Sequence, residues 1–251
     1  MAWSLSAFLD LRGHWHDLAA TQHAGLAAAE QLADVRGQAY AQQEIGRAWA
    51  RLGRYDDAHT QFGQALNLSR EVDDHTGQAQ TYRLLCWLEE RQGRHREALE
   101  HAQQALGLYR AAGHRRGQAS ALNAVGWFSG QLGDHQQALT CCEQALALFA
   151  KIGDRAGEAA SWDSVGYAHH HLGHHQQAAA CYERAVDLFR DSGTRWNEAE
   201  VLIHLGDTHR AAGRPDAARD AWQRSLNILE ELQHPDAERL RARLSPAAGA
   251  G

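Results

Sequence analysis

The chain has 251 residues, a formal net charge of −6, four Cys, 23 Gly and a single lysine, Lys151. Hydrophobic residues make up 44%, too many for wholesale disorder, yet Val and Ile are too sparse to fill the buried strands of an all-β or α/β core. A mildly acidic balance argues against direct nucleic-acid binding, no apolar run approaches the ~20 residues of a membrane span, and the N-terminus lacks the basic start of a signal peptide.

The glycines reveal an internal period. Gly13, Gly53, Gly93, Gly133, Gly173 and Gly213 stand 40 residues apart. Gly37, Gly77, Gly117 and Gly157 form a second ladder, continued by Asn197. Gly46, Gly126, Gly166 and Gly206 form a third, with Cys86 in the gap. Ala58, Ala98, Ala138, Ala178 and Ala218 keep the same step, so each unit occupies an equivalent place in a stack.

In chain order, residues 1–33 read as a shortened first hairpin, in which Trp3 falls opposite Gln43 and Ser6 opposite Gly46. Apolar Trp3, Leu5, Phe8 and Leu11 would then offer a surface for self-association or for a neighbouring domain. This beginning suggests a piece of a longer protein. Five full repeats follow, at 34–73, 74–113, 114–153, 154–193 and 194–233.

Each repeat reads as two helices. In the third, Ala119, Leu122 and Val125 recur at helical spacing and Leu132 precedes the Gly133 turn. Asp134 is placed to cap a second helix with Ala138, Cys142, Ala145, Leu146 and Phe149 on one face. Mid-helix glycine costs about 1 kcal/mol against alanine, so the recurrence at 126, 166 and 206 predicts a close helix crossing that offsets the cost. Pro235 is placed at the first position of a capping helix over 235–244, with Ala237, Leu240 and Leu244 on one side. Residues 245–251 read as a disordered tail.

These ladders resemble the tetratricopeptide repeat (TPR). Residues 42–66 carry Ile45-Gly46, Gly53, Tyr55, Ala58, Phe62 and Ala65-Leu66; residues 162–186 carry Trp162, Val165-Gly166, Gly173, Ala178, Tyr182 and Ala185-Val186. The usual repeat is about 34 residues long, and the extra turn here falls around Asp73-Asp74, Gly113-His114 and Gly153-Asp154. The resemblance implies an all-α, right-handed TPR solenoid of about six 40-residue hairpins plus a C-terminal capping helix, forming a single domain over 1–244. The 40-residue variant is similar to the C-terminal TPR regions of actinobacterial transcriptional regulators of the SARP and STAND type, where it is implied to be a sensor or interaction arm. The nucleotide loop Gly-x-x-x-x-Gly-Lys-Ser/Thr is absent from the sequence.

In a TPR solenoid the first helix of each hairpin is implied to line the concave face. By register, a peptide or protein segment would meet Arg47, Arg83, Trp87, Arg91, Asn123, Trp127, Asp163, Tyr167, His170 and His171. Trp87, Trp127 and Tyr167 share one column and would serve as separate platforms ~20 Å apart, each first helix being divided from the next by a second helix. The alternative is that these aromatics pack between hairpins as core. Arginines at 47, 51, 83 and 91 precede carboxylates at 163, 200 and 207, which would orient a ligand with its acidic part toward the early repeats.

The run His169-His170-His171-Leu172-Gly173-His174-His175 has metal-like spacing, but His169 and His175 fall in packing columns and Gly173 interrupts the helix, so no metal is expected. Groove-facing His170 and His171 would make binding vary between about pH 6 and 7.5. Cys86 and Cys142 fall in packing columns as apolar fillers, Cys141 and Cys181 in more exposed ones, and a reduced cytoplasmic protein follows. No nucleophile, base and orienter converge, so the expected function is a binding scaffold without cofactor rather than an enzyme. A purely structural or self-associating solenoid is the alternative.

Overall fold

The computed structural model describes residue 6, residues 8–10 and residues 12–245. Trp3, Leu5 and Leu11, and the tail beyond Ser245, lie outside the described residues. Among those described the fold is all-α, without strands. After a helical stretch at 8–10, the elements run α1 (Trp15–Gln31), α2 (Val35–Arg51), α3 (Tyr55–Glu71), α4 (His75–Arg91), α5 (His95–Ala111) and α6 (Arg115–Gln131). They continue with α7 (His135–Ile152), α8 (Arg155–His171), α9 (His175–Asp191), α10 (Arg195–Ala211), α11 (Pro215–Glu231) and α12 (Asp236–Leu244). Two compact units result, Met1–Ala121 and Leu122–Gly251.

The near-uniform helix length follows from punctuation in the sequence. Asp34, Asp74 and Asp154 cap the first helices of their hairpins, accepting hydrogen bonds from the N–H groups of Gly37, Gly77 and Gly157 at 2.9–3.0 Å. Asp134 caps α7 as expected, accepting from the Gln137 N–H at 3.0 Å. Gly153 ends α7 in the left-handed region at φ 72°, where a side chain would be strained. Asp73 takes the same conformation without being glycine, at φ 50°. The capping helix begins one residue later than expected, with Pro235 at its N-cap and Ala237 and Leu240 buried.

Each hairpin closes around its small residues. A Cβ on Gly126 would lie 2.9 Å from the Ala138 carbonyl oxygen, and one on Gly166 would lie 2.7 Å from the Tyr182 ring. The helices therefore cross at backbone distance, and the aromatic of the second helix fills the space that a side chain on the first would need.

In the first unit, Phe62, Leu66, Leu84, Leu85 and Leu88 form one core cluster; Leu9, Leu18, Ala19 and Ala48 form another, while Phe8 is 52% exposed. In the second unit one cluster runs from Ala159 to Leu240. None of the four cysteines forms a disulfide and all are buried, including Cys141 and Cys181, for which the sequence suggests more exposed places. Cys181 packs with Cys142, Val165, Leu139 and Trp162, because the second helix is covered on that side by neighbouring helices. Burial pushes the Cys86 and Cys142 thiols up to about 12, so both behave as inert apolar filler.

Candidate functional site

The first helices carry the candidate residues, and within each unit successive first helices touch directly, α2 with α4 and α8 with α10. Polar side chains join them. Gln43 Nε2 donates to the Gly77 carbonyl at 3.1 Å and to Thr81 Oγ1 at 2.8 Å, while His170 Nδ1 lies 2.8 Å from Thr208 Oγ1. Gln43 and Thr81 are buried by this contact, so that part of the 43 column is interior.

In the first unit the half-buried Trp87 stands between two cations. The guanidinium of Arg51 lies 5.2 Å and that of Arg91 5.5 Å from its ring centroid. Exposed Arg83 sits one turn earlier on α4 and hydrogen-bonds the Tyr109 hydroxyl. Arg47 is drawn away from any ligand by carboxylates: its Nη2 is 2.8 Å from Glu44 and 3.7 Å from Asp10. The result is a tryptophan ringed by guanidinium groups.

In the second unit Trp127, Tyr167, His170, His171 and His135 form one aromatic cluster. The Trp127 and Tyr167 rings are 5.0 Å apart and tilted by 52°, Tyr167 and His171 are 4.3 Å apart, and His171 stacks on His135 at 4.8 Å with 12° between planes. This corrects the expectation of isolated platforms about 20 Å apart. The rings lean toward each other along the first helices, and Gly130 leaves the space, since a Cβ there would sit 3.2 Å from the Tyr167 ring. Trp127, Tyr167 and His170 are half-buried and His171 is exposed, so the cluster is both packed and accessible. The Oδ1 of half-buried Asn123 is enclosed and lacks a hydrogen-bond partner among the described residues.

Asp163 does not reach this cluster as a free acid. It holds His204 Nδ1 at 2.9 Å. Asp207 is likewise matched by Arg243, with Arg210 at 3.8 Å, so two of the three late carboxylates of the expected charge drift are neutralised inside their own unit. His135, His204, Thr208 and Arg243 complete the arrangement and were not foreseen as site residues. The 40-residue register could have signalled His204, whose column holds the buried Glu44.

Protonation follows from these contacts. Burial pushes the His204 imidazolium down, but the charge and hydrogen bond of Asp163, helped by Glu200 and Asp207, outweigh it and raise His204 to about 9. Burial, then neighbouring His170 and His135, lowers His171; burial and His175 lower His170. The signs oppose. The His204 contribution to stability is complete below the unfolded value of about 6.5 and is lost as pH rises through about 9. The His170–His171 contribution is present above about 6.5 and is lost as pH falls below it. Thermal melts of Asp163→Asn should therefore lose the decline between about pH 7 and 9 that the unsubstituted chain shows, while keeping the acid-side decline. Parallel melting curves for both proteins across that alkaline range would contradict the pairing.

No group of three His, Cys, Asp or Glu arranged to hold a metal ion occurs among the described residues, and no helix among them is long and apolar enough to cross a membrane. Gly173 at φ 77° does separate α8 from α9, so His170 and His171 end one helix while His174 is the N-cap of the next and His175 its first residue.

The tetratricopeptide repeat family matches residues 37–111, 117–191 and 180–231. The chain belongs to the tetratricopeptide repeat family. No curated protein matches its sequence. Among solved TPR-like structures, BtubC from P. vanneervenii superimposes with a TM-score of 0.75 at 20% identity, covering 94% of this chain and 96% of its own. The Signal Transduction ATPase with Numerous Domains (STAND) protein from Pyrococcus horikoshii, which has a TPR sensor, gives a TM-score of 0.72 at 14% identity, over 97% of this chain and 41% of its own. A Rap protein complexed with Competence and Sporulation Factor gives 0.69 at 14% identity, over 97% of this chain and 72% of its own. At these identities the likeness concerns the fold.

Proposed function

We propose that this TPR chain binds a peptide or protein segment on the faces of its first helices, as the sensor or interaction arm of a larger cytoplasmic bacterial transcriptional regulator. The observation that carries the reading is the Trp127–Tyr167–His171 cluster, aromatic rings left partly open to solvent on first helices. Aromatic and arginine side chains are the usual anchors of binding surfaces. In the first unit, Trp87 with Arg91 beside it suits an acidic or aromatic side chain, while Arg51 is engaged by Asp10 at 3.7 Å. The likeness to a STAND protein with a TPR sensor supports the regulator reading. Binding rather than catalysis is assigned, since the Asp and His pairs serve as struts between helices.

Selection from a random peptide library tests the reading. The unsubstituted chain should enrich specific clones, and Trp127→Ala/Tyr167→Ala should lose them by about 30-fold or more while keeping its helical circular dichroism. Clones bound equally by the folded double variant would refute it. A winged-helix or nucleotide-binding domain encoded in the same reading frame would be the matching result for the regulator role.

A further inference from the structure

A pocket of about 220 Å³ opens between the last turn of α10, the first turns of α11 and the end of α12. Pro215, Ala218, Arg219 and Trp222 line it from α11, at the spacing of one helix face. Pro215, Ala218 and Leu244 give it an apolar wall. Its volume is below the roughly 300 Å³ at which pockets for drug-sized ligands begin, and it suits a small group.

The charge around it is of one sign. Arg210 comes from α10, Arg219 from α11 and Arg243 from α12, and no Asp or Glu is among the described residues that line it. Two of the guanidinium groups are held over one buried ring: that of Arg243 lies 4.3 Å and that of Arg210 5.3 Å from the Trp222 centroid. Among the described residues one carboxylate meets them, Asp207, paired with Arg243 and 3.8 Å from Arg210 Nη2. Arg219 is exposed and has neither hydrogen bond nor ion pair among the described residues. Asp216 and Asp220 of α11 do not line the pocket, and Asp220 lies 3.9 Å from Arg224. Three guanidinium groups against one carboxylate leave two positive charges unmatched. Like charges gathered this closely repel, and an apolar wall strengthens their field, so an anion of charge two stabilises the arrangement.

We propose that this pocket binds a doubly charged phosphoryl group. Guanidinium groups meet phosphate oxygens through paired hydrogen bonds, and a phosphoryl group has three oxygens to offer to arginines approaching from three helices. A carboxylate, with one charge and two oxygens, would leave part of the excess in place. The site stands apart from the aromatic cluster around Trp127, and its argument does not depend on that reading.

Calorimetric titration of the full chain at about pH 7.5, where a phosphate monoester carries close to two charges, tests it. Phenyl phosphate should bind saturably, and benzenesulfonate, a single charge of similar shape, should bind about tenfold or more weakly. Arg219→Gln should weaken phenyl phosphate by about tenfold with an unchanged melting temperature, because that side chain has no partner to lose. Arg224→Gln makes the same change of charge on the same helix outside the pocket, and should leave the affinity within about twofold. Trp127→Ala/Tyr167→Ala should leave it intact, which separates the pocket from the proposed peptide face. Titration with inorganic phosphate distinguishes two sources of the group. Tighter binding of phenyl phosphate assigns a phosphate monoester with its carrier against Pro215 and Leu244; equal or tighter binding of inorganic phosphate assigns the free anion. No saturable binding of either, equal affinity for phenyl phosphate and benzenesulfonate, full affinity in Arg219→Gln, or an equal loss in Arg224→Gln would each overturn the proposal.

Discussion

Gly126→Val should lower the stability of the protein by about 3 kcal/mol, whereas Gly63→Ala should raise it by about 1 kcal/mol. Both glycines lie inside helices, so helix propensity alone favours either substitution. Packing decides the sign. A Cβ at Gly126 would stand 2.3 Å from Cys142 Sγ, 2.9 Å from the Ala138 carbonyl oxygen and 3.1 Å from the Cys142 backbone nitrogen. Two of those atoms belong to the backbone of α7 and can yield only if the helices part. Nothing stands within 4 Å of the corresponding position at Gly63, so alanine there simply stiffens the unfolded chain. Urea unfolding midpoints read both effects. A Gly126→Val protein within about 0.5 kcal/mol of the unsubstituted chain would show that α6 and α7 do not meet at backbone distance.

Arg190→Met/Arg195→Met should cost about 2–3 kcal/mol, more than Glu198→Leu, which should cost about 1 kcal/mol or less. Glu198 is 2% exposed and accepts from Arg190 Nε at 3.0 Å and Arg195 Nη1 at 2.7 Å. Removing both guanidinium groups strands a carboxylate among helices. The usual cost of breaking a buried pair is about 3–5 kcal/mol, and the expected value is lower because the two arginine side chains are 48% and 38% exposed and water can follow. Removing the carboxylate instead leaves two cations that turn to solvent, and Arg195 keeps Glu231 at 2.7 Å. Unfolding free energies in the reverse order would mean that the arginines, not the acid, carry the desolvation penalty.

The candidate site was legible to different depths. The register placed Trp127 and Tyr167 in one column, and both stand on first helices, half-buried. Their mutual contact was not legible, because it depends on first helices being direct neighbours and on the gap left by Gly130. Arg47 looked available in sequence, yet Asp10 and Glu44 occupy it. Asp163 looked like a ligand for a passing peptide, yet it serves His204, 41 residues away. Charge partners at such separations are set by which helices pack together, and no local pattern encodes them.

By itself the sequence determined the repeat length, the cap at Asp134, the start of the last helix to within one residue and the buried stripe of the third repeat. These rest on short-range rules: a turn needs a residue tolerant of positive φ, a cap needs an acceptor, and an amphipathic helix needs apolar residues at its own period. Only the tertiary structure decided which rings touch, which charges are already spent, and that a cleft opens beneath the capping helix. Those properties depend on distances between side chains of different helices, and a shift of a few ångströms in packing creates or abolishes them.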